Sequence, residues 1–250
     1  MRVAGIDIGS RSIELVVLEG DSIIQEKQGD TGFDPMAVAE DMIRDTAYDH
    51  IVATGYGRNL FEIAFDGDTV TEIKAHARGA RHLFPEAGTV LDIGGQDSKV
   101  IKINDQGKVV KFEMNDRCAA GTGKFLEIMA RSLGFDIEDF GHQALSVDNA
   151  LSINSMCTVF AESEVTSLLA RGENRLEIAR GLHDSVVKRA YSMIKRVAED
   201  NGDIFFSGGV ANNPCMVEFL SAISGRTVHV PDKPQMVGAL GAALIAFEKA

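Results

Sequence analysis

The sequence predicts an α/β protein laid out as two copies of one plan, and three observations carry that reading. The tripeptide Asp-Ile-Gly occurs as Asp7-Ile8-Gly9 in GIDIGSRSIELVV and again, 85 residues later, as Asp92-Ile93-Gly94 in VLDIGGQDSKVIKI. Each copy closes one apolar run and leads through a short polar link into another, the signature of strand, tight turn and strand. After each copy the apolar spacing changes from a period of two to one of 3.6, so strands precede helices in both halves.

In the first half, residues 2–9, 12–18 and 22–28 read as an antiparallel meander, with Glu19-Gly20-Asp21 turning the second strand into the third. Asp34-Pro35 starts a helix expected to reach about Tyr48, because Met36, Ala39, Ile43 and Ala47 fall on one face. A strand at 50–53 runs into Thr54-Gly55-Tyr56-Gly57-Arg58, and a helix over 72–83 ends before Pro85. The second half restarts with strands near 88–93, 98–104 and 108–113, turned by Asp105-Gln106-Gly107. Helices are expected over 119–133, 159–171 and 174–200, then a strand at 203–206, a Gly-rich turn, a helix over 213–223, a strand at 226–230 and a last helix over 235–248. The expected domains are 1–85, with segment 235–250 packing back on it, and 86–234, which holds all three cysteines.

Of the 250 residues 45% are hydrophobic, enough for a substantial core, and the net charge is -12. That charge opposes nucleic acid or an anionic membrane as the main partner. No run approaches the roughly 20 apolar residues that span a bilayer, and Met1-Arg2-Val3 leads straight into a strand, so a soluble, cytoplasmic protein is expected. Three cysteines make no disulfide framework.

Glycine turns bring backbone N–H groups close to phosphate oxygens because no Cβ intervenes. The first turn offers Gly9, Ser10, Arg11 and Ser12; the second offers Gly94, Gly95, Gln96 and Asp97, with Lys99 just beyond. Asp7 and Asp92, at strand ends, are candidates to hold Mg²⁺ or its waters against ATP, and Gln96 or Asp97 to position the attacking water. Lys99 is either near phosphate or a plain surface charge. A third turn, Ser207-Gly208-Gly209-Val210-Ala211-Asn212-Asn213, follows a strand and is suited to pack on adenosine through Gly208, Gly209, Val210 and Asn212. Two Asp-x-Gly hairpins followed by a Gly-Gly turn resemble the actin, sugar-kinase and Hsp-type chaperone ATPase superfamily. The resemblance implies duplicated actin-like (ribonuclease H-like) domains with an ATP cleft between them. The segment AAGTGKF imitates a P-loop but fails as one: Cys118 stands where its first glycine belongs and Phe125 where its hydroxyl residue belongs.

Cys118 and Cys157 each precede a helical pattern, which predicts thiols at helix N-termini, where the macrodipole favours anionic ligands. Two thiolates make half of a four-Cys iron–sulfur site, and a two-fold dimer completes it. Cys215, beside Pro214 and Met216, is read as a buried structural residue, and the six histidines show no paired metal spacing. Glu162, Glu164, Arg171, Arg175 and Arg180 are read as solvated, and the stripe Val186, Val187, Ala190, Ile194 and Val197 as core. Together NDRCAAGTGKFLE, SMCTVFAESEV, DIGGQDSK and SGGVANN resemble the activator component of the 2-hydroxyacyl-CoA dehydratases, in the family that includes benzoyl-CoA reductase ATPase subunits. The resemblance implies a homodimer with one 4Fe-4S cluster ligated by Cys118 and Cys157, and ATP hydrolysis that drives a low-potential electron into a partner dehydratase or reductase. A reduced ferredoxin or flavodoxin is the implied donor. Two rivals are a small-molecule kinase of the same superfamily and a filament-type scaffold in which the cysteines are incidental.

Overall fold

The apolar runs RVAGIDI and SIELVVLE form β1 (Arg2–Ile8) and β2 (Ser12–Glu19), buried along nearly their whole length in the computed structural model, which describes residues 1–65, 67–154, 157–198 and 202–249. They pair antiparallel, Arg2 opposite Glu19 and Ile8 opposite Ile13, and β2 pairs antiparallel with β3 (Ser22–Asp30). On the other side of β1 lie β4 (His50–Gly55), parallel to it with Asp7 opposite Thr54, and the two-residue β5 (Asp68–Thr69).

Because successive side chains leave a strand on opposite faces, this sheet has two cores. Ala4, Ile6 and Ile8 pack with Ala39 and Met42 of α1 (Pro35–Arg44) and Phe61 of α2 (Arg58–Phe65). Val3, Val16 and Val52 pack instead against Ala239, Leu240 and Ala243 of α9 (Val237–Lys249), which also lies along α3 (Glu72–Leu83). Asp7 shares the second face by parity with Val3.

The second sheet holds β6 (Thr89–Ile93), β7 (Ser98–Ile103), β8 (Val109–Asn115), β9 (Ile204–Ser207) and β10 (Val228–His229). Its order is β10-β9-β6-β7-β8, against β3-β2-β1-β4-β5 in the first. The meander β6-β7-β8 of the second half thus repeats the meander β1-β2-β3 of the first, so the repeat in sequence is a repeat in strand pairing. A larger core joins Leu91, Ile93 and Phe206 to α4 (Gly123–Leu133), α5 (Ile137–Leu145), α6 (Thr158–Ala170), α7 (Arg175–Val197) and α8 (Pro214–Ser224). The stripe Val186, Val187, Ala190, Ile194 and Val197 lies in it as expected. The chain divides into two units: Met1–Val90, Ile101–Phe112 and Pro231 onward in one, Leu91–Val100 and Glu113–Val230 in the other. Among the described residues no helix is long and apolar enough to cross a membrane.

Several element ends differ from the sequence reading. The first helix stops at Arg44 rather than Tyr48; the helix expected from 174 to 200 stops at Val197, its last two positions lying outside the described residues. The helix expected from 119 begins only at Gly123, because Gly121 takes a left-handed φ of 94° and Thr122 is extended at φ -124°. Three elements go unanticipated. β5 is two residues long; α2 buries only Phe61 and leaves Leu60 and Ile63 exposed, which blurs its helical face. α5 carries Gly141, whose helix propensity lies about 1 kcal/mol below that of alanine. A Cβ there would meet Asn213 Oδ1 at 2.3 Å, so the glycine serves packing at the expense of pattern.

Candidate functional site

The two Asp-Ile-Gly turns close with one and the same backbone bond. Gly9 N–H donates to Ser12 O at 3.1 Å, and Gly94 N–H to Asp97 O at 3.0 Å. A Cβ on Gly9 would sit 2.8 Å from Ser12 O, and one on Gly94 2.9 Å from Asp97 Oδ1, so both turns need glycine. Ser10 and Ser12 are half-buried and Arg11 is exposed, 3.7 Å from Asp30. Thr31, which sequence reasoning missed, ties this turn down: its N–H donates to Arg11 O at 3.1 Å and its hydroxyl to Gly9 O at 2.8 Å.

Asp7 is buried on the face covered by α3 and α9, with His76 Nε2 3.8 Å from its Oδ2. The carboxylate fits there because two neighbours lack side chains: a Cβ on Gly55 would meet Asp7 Oδ1 at 2.5 Å, and one on Gly238 would meet Oδ2 at 2.0 Å. His76 and Gly238 arrive from 69 and 231 residues further along the chain, beyond the reach of any local motif.

Asp92, in the second unit, is held on both oxygens. Ser207 Oγ donates to Oδ1 at 2.8 Å and Lys99 Nζ lies 3.3 Å from Oδ2. The same ammonium is 2.8 Å from Asp97 Oδ2, and the side chains of Asp92, Asp97 and Lys99 are all under a tenth exposed. The surface-charge alternative for Lys99 is therefore overturned. It is also not an open arm at the turn, since two carboxylates enclose it. Gln96, by contrast, is exposed and Gly94 and Gly95 are half-buried.

The third turn packs against the second. Gly208 has a φ of 84°, and a Cβ on it would meet Ile93 O at 2.3 Å and Asp92 Oδ1 at 3.0 Å. Gly209–Asn212 then form one 3₁₀ turn, with Gly209 and Asn212 exposed and Val210 buried. Asn213 accepts from the N–H groups of Cys215 and Met216 through Oδ1, capping α8, while its Nδ2 lies 2.9 Å from His183 Nε2. Since Oδ1 accepts, Nδ2 donates to the ring; His183 Nδ1 in turn donates to Ala179 O at 2.8 Å. This buried imidazole is neutral, its pKa lowered to about 4 by burial.

The first two N–H groups of α4 are also spent on the second turn: Gly123 N–H donates to Gly94 O at 2.9 Å and Lys124 N–H to Gly95 O at 2.8 Å. Upstream of α4 lies Cys118. It is exposed and sits in a loop rather than at the helix N-terminus that the sequence predicts, for Ala119 to Thr122 form a separate turn in which the Thr122 hydroxyl donates to Ala119 O at 2.6 Å. Asn115 brackets the cysteine, donating to Cys118 O at 2.9 Å and accepting from Cys118 N–H at 3.3 Å.

Cys157 is exposed and is the N-cap residue of α6, as expected; Ser155 and Met156 of its motif lie outside the described residues. Glu164 is not simply solvated, since its Oε1 accepts from Asn154 N–H at 3.1 Å. Arg175 and Arg180 also depart from expectation, stacking on Phe135 and Phe219 with 4.5 and 4.7 Å to the ring centroids. Cys215 is buried, and burial pushes its thiol up to about 12, so it is a core residue as read from the sequence. Two exposed thiols outside any disulfide suit soft-metal ligation, and the buried carboxylates are hard oxygen donors of the kind Mg²⁺ takes. Among the described residues no three His, Cys, Asp or Glu side chains are grouped as a metal site.

The chain is similar to known proteins along nearly its whole length. Residues 4–246 match the model of the BadF/BadG/BcrA/BcrD ATPase family. A curated relative, the activator of lactoyl-CoA dehydratase of Anaerotignum propionicum, is 41% identical over 100% of this chain and 99% of its own. A subunit of the benzoyl-CoA reductase of Thauera aromatica is 33% identical over 97% of this chain and 91% of its own. The solved activator of the 2-hydroxyisocaproyl-CoA dehydratase from Clostridium difficile, with bound ADPNP, superposes with a TM-score of 0.90 at 40% identity, covering 100% of this chain and 95% of that one. The fold is the duplicated actin-like ATPase architecture.

Proposed function

From the premise that the chain belongs to the BadF/BadG/BcrA/BcrD ATPase family, we propose that it is the ATP-driven activator of a 2-hydroxyacyl-CoA dehydratase, passing single low-potential electrons to that enzyme. The observation that carries the reading is the union of a duplicated nucleotide-binding plan with two exposed cysteines in segments attached to helices of the second unit. The chain is an ATPase that binds ATP.

In this reading the backbone of Ser10, Arg11 and Ser12, and of Gly95 and Gln96, takes the phosphates, whereas the N–H groups of Gly9 and Gly94, offered by the sequence for the same task, are spent inside their own turns. Gly208, Gly209, Val210 and Asn212 take the adenosine. Asp7 and Asp92 would hold Mg²⁺ or its waters against the phosphates, supplying hard oxygen donors. Asp97 is committed to Lys99, so the exposed Gln96 is the side chain that orients the attacking water. Cys118 and Cys157, with the same pair from a second copy, would hold a 4Fe-4S cluster, which would supply one-electron transfer at a potential set by exposure and hydrogen bonds to sulfur.

The chain's own contribution is mechanical. Carbonyls of the second turn are bonded to the start of α4, so a turn reshaped by ATP or ADP moves that helix and the Asn115-held loop before it. α4 packs on α6, which extends the movement to Cys157. Nucleotide can bias such a change only by binding one arrangement more tightly than the other. Reduced ferredoxin or flavodoxin in the cytoplasm is the donor.

Anaerobic purification tests the reading. The expected product is a brown homodimer with broad absorption near about 400 nm, from iron–sulfur charge transfer, bleached by Cys118→Ser or Cys157→Ser. A colourless monomer that still hydrolyses ATP would overturn it. The 33% identity to part of a benzoyl-CoA reductase favours one alternative acceptor, a reductase of that type. Capture of the acceptor under anoxia decides between the two.

A further inference from the structure

We infer that Lys99 is a positioning residue of the ATPase site, clamping Asp92 and Asp97 so that the second turn holds one shape. The inference rests on the roles proposed above for Asp92 and the turn Gly94–Asp97. Three features support it: the ammonium lies 3.3 Å from Asp92 Oδ2 and 2.8 Å from Asp97 Oδ2, its side chain is 4% exposed, and the two carboxylates are nearly as buried. Two carboxylates buried side by side repel each other, and a cation placed between them offsets that repulsion. An ammonium, with three donors on a flexible stem, serves both at once.

The clamp spans three neighbouring strands. Ser207 on β9 fixes Asp92 Oδ1, Asp92 lies on β6, and Lys99 on β7 takes Asp92 Oδ2. With both oxygens held, the carboxylate has one orientation. Through Asp97 the clamp also closes the turn, because Asp97 O receives Gly94 N–H and Gly94 packs beneath Asp97 Oδ1. Lys99 thus acts on catalysis through Asp92 and the turn, and not by touching phosphate.

The full-length protein is compared with Lys99→Met, Lys99→Arg, Ser207→Ala and the double variant Lys99→Met/Asp97→Asn. For Lys99→Met the expected result is a fall in kcat of about tenfold or more with KM for ATP changed less than about threefold, and a several-fold rise in the Mg²⁺ concentration for half-maximal rate. Lys99→Arg restores most of the Mg²⁺ dependence, and Ser207→Ala shifts it in the same direction by less. The double variant, with charge balance restored, melts above Lys99→Met in the absence of nucleotide and metal. If Lys99→Met does not fold, the double variant and Ser207→Ala carry the test.

The proposal is overturned if Lys99→Met weakens ATP relative to ADP about tenfold with its Mg²⁺ midpoint unchanged, the signature of a phosphate ligand. It is equally overturned if rate, midpoint and melting temperature all stay at wild-type values. If wild-type protein hydrolyses no ATP, the functional reading falls by itself. The clamp is then judged on melting: a double variant no more stable than Lys99→Met sinks it.

Discussion

His183 shows how a single residue ties stability to pH. Its folded pKa of about 4 lies below the ordinary 6.5, so between those values the unfolded chain binds a proton that the folded chain refuses. The stability associated with the neutral ring is complete above pH 6.5 and is lost as pH falls from there towards 4. The gap corresponds to about 3 kcal/mol at its limit. Denaturant titrations at about pH 7 and about pH 4.5, on either side of the ordinary histidine pKa, should show this acid loss in wild type and a smaller one in His183→Leu, whose midpoint is lower at neutral pH because Asn213 has lost its acceptor. The cysteines make a second prediction at this scale. In cluster-free native protein an alkylating reagent should label Cys118 and Cys157 quickly and Cys215 only after unfolding, a difference that mass spectrometry reads directly. Residue placement was legible in the sequence where a motif carried it: Asp7 and Asp92 lie near the ends of their strands and Cys157 caps α6, all within short recognisable strings, while Cys118 falls in a loop ahead of its helix. The contacts made by His76, Thr31 and Ser207 were not legible, because each comes from a distant strand, loop or helix and has no spacing to announce it.

At the scale of elements, the close approach of α9 to its neighbours depends on missing side chains. A Cβ on Gly241 would fall 1.8 Å from Ala75 O of α3, and one on Gly5 would fall 2.1 Å from Ala239 O. Both obstacles are backbone, which cannot rotate away. Gly241→Ala should therefore cost on the order of 1–3 kcal/mol through overpacking, whereas Gly202→Ala, with nothing within 4 Å, should stay within about 0.5 kcal/mol. Urea denaturation of the pair checks the contrast. Elements with strong periodicity, such as β1, β2 and α7, were legible to within a few residues. α5 was hidden by Gly141 and the true start of α4 by Gly121, two glycines placed for packing and for a left-handed turn.

At the scale of the whole molecule, the repeated meander explains why one short motif could reveal so much: a topology used twice writes its turn residues twice. The pairing of Asp92 with a lysine and of Asp7 with a histidine was beyond that logic, because the copies have diverged in what surrounds each carboxylate. With nucleotide bound as proposed above, saturating Mg·ADP at about 100 times its Kd should stabilise the fold by about 2.7 kcal/mol. Gly208→Ala, forced against Ile93 O at a φ of 84°, should lose most of that gain when the two are compared by thermal shift.

The two bonds from the start of α4 to Gly94 O and Gly95 O have one further effect. A trans peptide unit is planar and sends its carbonyl and its N–H in opposite directions. Once α4 draws those two carbonyls toward itself, the amide hydrogens of Gly95 and Gln96 are obliged to face the other way, as a pair of dipoles turned from the helix. The helix thereby sets the polarity of the turn without contributing an atom to its open side, and reversing either peptide plane would require α4 to let go first.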